Sequence, residues 1–218
     1  LVRGLGLNFF DVMVALTQCR GGTFHVGAEP GRLRYEPSGR EPLMMAASRR
    51  GVPYRGKAVL DTYYPATVQL RYFTEAHVEE LVERFGKLDF RAHLWPLINR
   101  DALLTYYRTL AEHEPEVFVK DSSEFLLRFE TLLDSAHHGE EVTRSEAEEL
   151  LAEYLPEERF LQVRALAAPA EDLTFASGQE YQRWVRDYLS RDIDKSLAGL
   201  HSPEKMAIGA LQLAREHL

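Results

Sequence analysis

The sequence predicts a mixed α/β fold that is mostly α. Three observations predict it. The opening stretch LVRGLGLNFFDVMVAL sets Gly4 and Gly6 as G-x-G before an apolar run at helical spacing. Residues 1–57 are rich in glycine and carry nine Lys/Arg against four Asp/Glu, a charge of +5, while the remainder holds 17 basic and 30 acidic residues. From about residue 74 the apolar spacing becomes helical, and capping signatures recur.

The elements follow in order. A short strand ends at Gly4, and a helix runs from Leu7 to about Gln18 with Phe9, Phe10, Met13, Val14 and Leu16 available for burial. It stops near Arg20-Gly21-Gly22, because glycine adopts positive φ at little cost. Thr23 to Pro42 reads as a loop or hairpin, with TFHV and RLRY as strand candidates around AEPG. LMMAAS reads as a buried strand, with Arg49-Arg50-Gly51 as the turn after it.

The rest reads as helices. Thr74 precedes EAHVEELVERFGK, whose Val78, Leu81, Val82 and Phe85 share one stripe. An aromatic and apolar helix covers Arg91 to His113 and ends before Pro115. Asp121-x-x-Glu124, Thr143-x-x-Glu146 and Ser177-x-x-Glu180 each place a side-chain oxygen where it caps an orphan amide, with a glutamate reaching back. Ser202-Pro203 opens the last helix as N-cap and N1. The predicted domains are 1–57, with a loop or hairpin inserted at 23–42, and a mostly helical 58–218.

Composition narrows the function. Hydrophobic residues make up 45% of the 218, enough for a packed core. No apolar run is long enough for a transmembrane helix, and no secretory signal is visible, so no membrane partner and a cytoplasmic location are expected. Cys19 is the only cysteine, which excludes an internal disulfide and a cysteine-rich metal site. A basic front beside an acidic remainder suits an anionic small ligand and does not suit nucleic acid over the whole surface.

The chemistry sits at the front. A strand, then G-L-G-L-N, then a helix leaves free backbone N–H groups at a helix N-terminus, where a pyrophosphate binds. Gly4 allows the tight turn and Gly6 the close approach of a ligand, while the third glycine of G-x-G-x-x-G is replaced by Phe9. The same geometry also serves a strand-to-helix turn that binds nothing. The second piece is AASRRGVPY. At the end of the second strand an acid favours a free ribose 2′-hydroxyl, and arginine accommodates a 2′-phosphate. Ser48, Arg49 and Arg50 stand there. They follow Gly4 at about twice the usual spacing of roughly 20 residues, a surplus that the 23–42 segment accounts for. Two surface arginines would read the same way.

VRGLGLNFFDVMVALTQ followed by SRRGVPYRGK resembles the second nucleotide-binding half of FAD/NAD(P)-binding proteins of the flavin-dependent N-hydroxylating monooxygenase kind. Gly4, Gly6, Leu7, Asn8 and Asp11 match the first part of that motif, and Ser48 to Gly51 the second. LRYEPSGREP resembles a version of the family with an insertion, and GLHSPEKMAIGALQLAREH resembles a later segment of it. Residues 60–195 match only as a helical region. The resemblance implies a partial Rossmann-like segment, with NADP(H) held at Gly4, Gly6, Leu7, Asn8, Ser48, Arg49 and Arg50. It implies FAD held mainly by polypeptide outside these residues, and a small-molecule substrate. The chain is then expected to be a piece of an FAD- and NAD(P)H-dependent oxidoreductase, inactive by itself, with the remainder of the same polypeptide as its partner. The alternative is a helical interaction or regulatory module without catalysis. Catalytic residues are not assigned.

Other constellations point to packing. His137-His138 lack the spacing of a metal site, and none is expected. There is no G-x-S-x-G elbow. Tyr63-Tyr64, Tyr106-Tyr107, Trp95 and Trp184 read first as core or inter-helix packing and second as an aromatic pocket. Arg40-Glu41 reads as an ion pair closing a turn, or as a group that approaches substrate or flavin.

Overall fold

A computed structural model describes residues 1–28, 32–61, 68–137 and 144–216. The element order is β1 (Val2–Arg3), α1 (Leu7–Leu16), β2 (Thr23–Val26), β3 (Leu33–Glu36), β4 (Ala46–Ala47), α2 (Glu75–Phe85), α3 (Trp95–His113), α4 (Ser122–His137), α5 (Arg144–Tyr154), α6 (Val163–Ala167), α7 (Gly178–Leu197) and α8 (Pro203–Glu216). The fold is therefore mixed α/β and mostly helical. It divides into two compact units: Leu1–Gly56 with Gln162–Leu197, and Lys57–Leu161 with Ala198–Leu218.

In the first unit β1 and β4 pair in parallel, Val2 beside Ala46 and Arg3 beside Ala47. Between them the chain runs through α1, a 3-10 turn over Gln18–Arg20 that ends at Gly21 with φ +94°, and the antiparallel hairpin β2–β3. A network behind the hairpin fixes its exit. The Tyr35 hydroxyl and the Ser38 amide both donate to Glu41 Oε1, at 2.5 and 2.8 Å, and Arg20 donates to the Arg40 carbonyl at 3.3 Å. Glu41 is thus held by Tyr35 and Ser38 rather than by Arg40. Arg32, beside the hairpin, reaches Asp194 of α7 at 2.8 Å.

The LMMAAS segment departs from the expected buried strand. Only Ala46–Ala47 are in β4, and Leu43 is 91% exposed. The physical reason is the size of the sheet: two paired strands of two residues each are too small to bury the run that leads into β4.

The second unit owes its stability to helix packing. From α3, Leu97, Ile98, Ala102, Leu104, Tyr107 and Leu110 are buried. They meet Phe125, Phe129 and Leu133 of α4, Leu150 and Tyr154 of α5, and α8. Tyr107 lies edge-on to Phe125 and Phe129, with centroids 5.5 and 4.9 Å apart. Ala207, Ala210 and Ala214 of α8 are at most 1% exposed, and their small size lets two helix backbones approach.

Side-chain caps define the helix starts. Thr74 Oγ1 accepts from His77 N, and Asp121 Oδ1 from Glu124 N at 2.8 Å. Ser177 Oγ accepts from Glu180 N, while Glu180 reaches back to Ala176 N at 2.7 Å. Ser202 caps α8, with Pro203 in its first turn. The Thr143 cap, Tyr63-Tyr64 and His138 lie outside the described residues. The aromatic helix begins with a π turn over Phe90–Leu94, capped by Asp89, before α3 proper.

Asp101 organises the entry to this unit. It is 1% exposed, and its carboxylate accepts the backbone N–H groups of Arg71, Tyr72 and Phe73 at 2.7, 3.0 and 2.7 Å. Burial raises its pKa, and the three amide donors oppose that rise. The turn so held aims Arg71 at Glu130 and Asp134, and the Tyr72 hydroxyl at Asp134.

No helix of the described residues is long and apolar enough to cross a membrane.

Candidate functional site

Parallel pairing brings two turns together. Gly4 N–H donates to the Ala47 carbonyl at 2.7 Å, one step beyond the last paired residues, Arg3 and Ala47. The Gly4–Gly6 turn and the Ser48–Gly51 turn therefore leave β1 and β4 at the same carboxyl edge. Open parallel sheets bind ligands at that edge.

Each sequence-predicted residue has a definite place there. Gly4 has φ +96°, a left-handed conformation that favours glycine, and a Cβ built on it would meet nothing within 4 Å. Gly6 is the N-cap of α1 and offers no side chain to cap it, so the first amides of the helix, Leu7 and Asn8 among them, keep no side-chain partner from the cap. Leu7 is 72% exposed and Asn8 is exposed. A Cβ on Gly6 would touch the Tyr54 ring at 3.4 Å, and Tyr54 N–H donates to the Leu5 carbonyl. Tyr54 thus lies against one side of the glycine turn.

The second turn separates its two arginines. Gly51, at φ +72°, donates its N–H to Ser48 O and closes the turn. Ser48 Oγ reaches the Val52 carbonyl at 3.4 Å. Arg50 is half-buried and donates from Nη2 to the Leu166 carbonyl of α6 at 3.3 Å. Arg49 is exposed and has no hydrogen bond or ion pair among the described residues. Of the two guanidinium groups, Arg49 is available to a phosphate as it stands.

The segment after the turn is laced to α7. The Tyr181 hydroxyl donates to Gly51 O, Arg55 Nε to the Tyr188 hydroxyl at 2.7 Å, and Gly56 N to Asp192 Oδ2 at 2.7 Å. Tyr181, Trp184 and Tyr188 stack along one face of α7, and Phe175 packs against the first two. An open, mainly apolar cleft of about 360 Å³ is lined by Leu5, Pro53, Tyr181, Gln182, Val185 and Arg186. Sequence reasoning singled out Trp184 as packing or pocket lining but missed Tyr181 and Tyr188 beside it. The available signal was the aromatic spacing of 181, 184 and 188, one helical face, but nothing local shows what that face meets.

The residues at the edge fit a dinucleotide phosphate in three respects. There is open space at Gly4, the helix start lacks a side-chain cap, and a cation stands at the adjoining turn. His77 and His137 bring their Nε2 atoms to 3.3 Å in the second unit. Among the described residues no group of three His, Cys, Asp or Glu is placed to hold a metal ion.

No protein-family model matches the chain. Three curated proteins do match it along its whole length. They are an L-aspartate N-monooxygenase (nitrosuccinate-forming) of Streptomyces davaonensis at 33% identity, a nitrosuccinic acid synthase of Aspergillus oryzae at 34%, and a second L-aspartate N-monooxygenase (nitrosuccinate-forming), of Streptomyces cremeus, at 32%. The chain is similar throughout to N-monooxygenases. It spans about a third of the length of each, 32% in all three.

Proposed function

We propose that this chain is the NADPH-binding portion of an FAD-dependent N-monooxygenase that oxidises the amino group of a small amino acid, L-aspartate being the substrate its relatives' names supply. Residues 1–57 form part of a Rossmann-like NAD(P)-binding domain interrupted by the hairpin at 23–42, and 58–218 contribute its mostly helical accompaniment.

The observation that carries the reading is the bond from Gly4 N–H to the Ala47 carbonyl, which sets the glycine turn beside the arginine turn. Gly4 and Gly6 would hold a pyrophosphate against the α1 amides of Leu7 and Asn8. Ser48 and Arg49 would face the adenosine ribose, where Arg49 would pair with the 2′-phosphate as a rigid, charge-assisted donor. Arg50 braces the turn through Leu166 and takes a lesser part. NADPH and FAD, when bound, would supply the reducing equivalents and the oxidation chemistry, and these residues would only hold and orient the NADPH nucleotide. FAD is held mainly by polypeptide outside these residues.

The test uses two proteins. The product of the complete reading frame is expected to purify yellow and to oxidise NADPH, with faster turnover when L-aspartate is present. The 218-residue chain alone is expected to bind NADP⁺ by calorimetry and to take up no stoichiometric FAD. A colourless full product that stays colourless with added flavin overturns the reading. Tight FAD binding by the 218-residue chain overturns the assignment of the glycine turn to NADPH.

A further inference from the structure

Neither of the two turns has a place for a base. The Gly4–Gly6 turn suits a pyrophosphate, and the Ser48–Gly51 turn suits a ribose with its 2′-phosphate. A purine is flat and stacks through its faces, and its edge carries hydrogen-bonding groups. One cavity of the first unit matches that chemistry. It is the open cleft of about 360 Å³ lined by Leu5, Pro53, Tyr181, Gln182, Val185 and Arg186.

The walls of the cleft touch both turns. Leu5 lies between the two glycines and is buried. Pro53 follows Gly51 by two residues, and the Tyr181 hydroxyl donates to Gly51 O. The opposite wall is α7, where Tyr181 and Val185 stand one helical turn apart, as do Gln182 and Arg186. Gln182 and Arg186 are exposed, and neither has a hydrogen bond or ion pair among the described residues. A mainly apolar cleft thus carries one amide, with donor and acceptor both open, and one planar guanidinium. A glutamine amide pairs with the N6 and N7 edge of adenine through two bonds, and a guanidinium stacks on flat rings.

We infer that this cleft is the base subsite of the nucleotide site, in which Gln182 would pair with the adenine edge and Arg186 would stack on its face. It rests on the reading of the chain as the NADPH-binding portion of a longer protein. It gives α7 a ligand-contacting part, about 130 residues beyond the two turns, where nucleotide contacts within 1–57 alone leave the base unheld. FAD carries an adenine as well. The bond from Tyr181 to the Gly51 carbonyl selects the adenine of NADPH, because it fixes the cleft against the turn that faces the 2′-phosphate.

Calorimetry on the full product tests this with NADP⁺ and with its hypoxanthine counterpart, in which an oxygen replaces the adenine amino group. The parent is expected to bind NADP⁺ about tenfold tighter than the hypoxanthine dinucleotide, the discrimination that an amide paired with a base edge provides. Gln182→Ala should bring the two affinities within about twofold of each other, a ratio that does not depend on the fraction of protein folded. Arg186→Ala should weaken both by about tenfold through the loss of one stacking partner. Both variants should keep the parent's flavin content and melting temperature, since neither side chain is bonded to the described fold. A parent without base preference, a preference that survives Gln182→Ala, or an NADP⁺ affinity that survives Arg186→Ala overturns the inference and leaves the nucleotide reading standing. Flavin content that falls in these variants while NADP⁺ affinity holds assigns the cleft to the adenine of FAD and also overturns it. A parent that does not bind NADP⁺ overturns the nucleotide reading itself, and the inference falls with it.

Discussion

Gly4 and Ala47 are joined by a 2.7 Å backbone hydrogen bond although 42 residues lie between them. The bond is the last rung of a parallel ladder, so the chain turns away from the sheet at the same edge on both strands. Everything between, α1 and the β2–β3 hairpin included, is a crossover that returns the chain to that edge. Parallel strands require such a crossover. The hairpin lengthens it without changing where it ends, which is how arginines so far from Gly4 in sequence come to lie next to it.

The exit of that hairpin should be acid-sensitive. Tyr35 and Ser38 donate to Glu41 and hold its carboxyl down from an ordinary 4.5 to about 2. Burial and the same carboxylate push the Tyr35 hydroxyl up to about 12. A depressed folded pKa means the unfolded state takes up protons first, so the stabilisation is complete above pH 4.5 and is lost as pH falls toward 2. Glu41→Gln should melt below the parent at pH 6, and the gap should narrow steadily as the pH falls from 4.5 toward 2. A gap that stays constant across this range in differential scanning calorimetry would refute the assignment.

Asp101 should be a stability residue of the second unit. Replacing it with alanine leaves the amides of Arg71, Tyr72 and Phe73 without their acceptor, two of them on buried residues. Unsatisfied buried donors cost roughly 1–3 kcal/mol each, so a loss of about 3 kcal/mol is expected for Asp101→Ala. Asp101→Asn keeps one acceptor and should lose less. Urea unfolding of the three proteins checks the order, and a near-neutral Asp101→Ala would sink the claim.

Several of these features were legible in the sequence, and for local reasons. Caps at Thr74, Asp121, Ser177 and Ser202 were readable because a cap is written within four residues. The helix end at Gly21 and the hairpin after it were readable from glycine and alternation. The burial of LMMAAS was overestimated, because an apolar run reports what a strand requires and not what is present to cover it. The lacing of residues 51–56 by Tyr181, Tyr188 and Asp192 was not legible. It joins positions 130 to 136 apart in sequence, and no propensity encodes such a pairing. The different fates of Arg49 and Arg50 depend on the Leu166 carbonyl and were hidden for the same reason.

Gly6→Ala separates site from fold. Gly6 has φ −86°, which alanine adopts freely, and the added Cβ would touch the Tyr54 ring at an ordinary 3.4 Å. Stability should change by no more than about 0.5 kcal/mol. The methyl group nonetheless stands where a pyrophosphate approaches the backbone. NADP⁺ affinity measured by calorimetry should fall about tenfold or more while the melting temperature holds. Unchanged affinity with unchanged stability would show that nothing approaches this turn.

The choice of NADPH over NADH should depend on Arg49 more than on Arg50. Arg49 is exposed and unpaired among the described residues, whereas Arg50 is half-buried and already bonded to the Leu166 carbonyl. A charge-assisted bond to a 2′-phosphate is worth roughly 1.5–3 kcal/mol, or about ten- to a hundredfold in affinity. Arg49→Ala should therefore raise KM for NADPH by that factor in the full product and leave KM for NADH nearly unchanged. Arg50→Ala should loosen the Ser48–Gly51 turn and affect both cofactors together, with a lower melting temperature as its companion. The pattern follows from where each guanidinium is held: only a group in contact with the phosphate distinguishes the cofactors, while a brace acts on both through the backbone. Steady-state kinetics of both variants with each cofactor at fixed ionic strength decides the matter. Equal loss for NADPH and NADH in Arg49→Ala would move Arg49 from the phosphate to the scaffold.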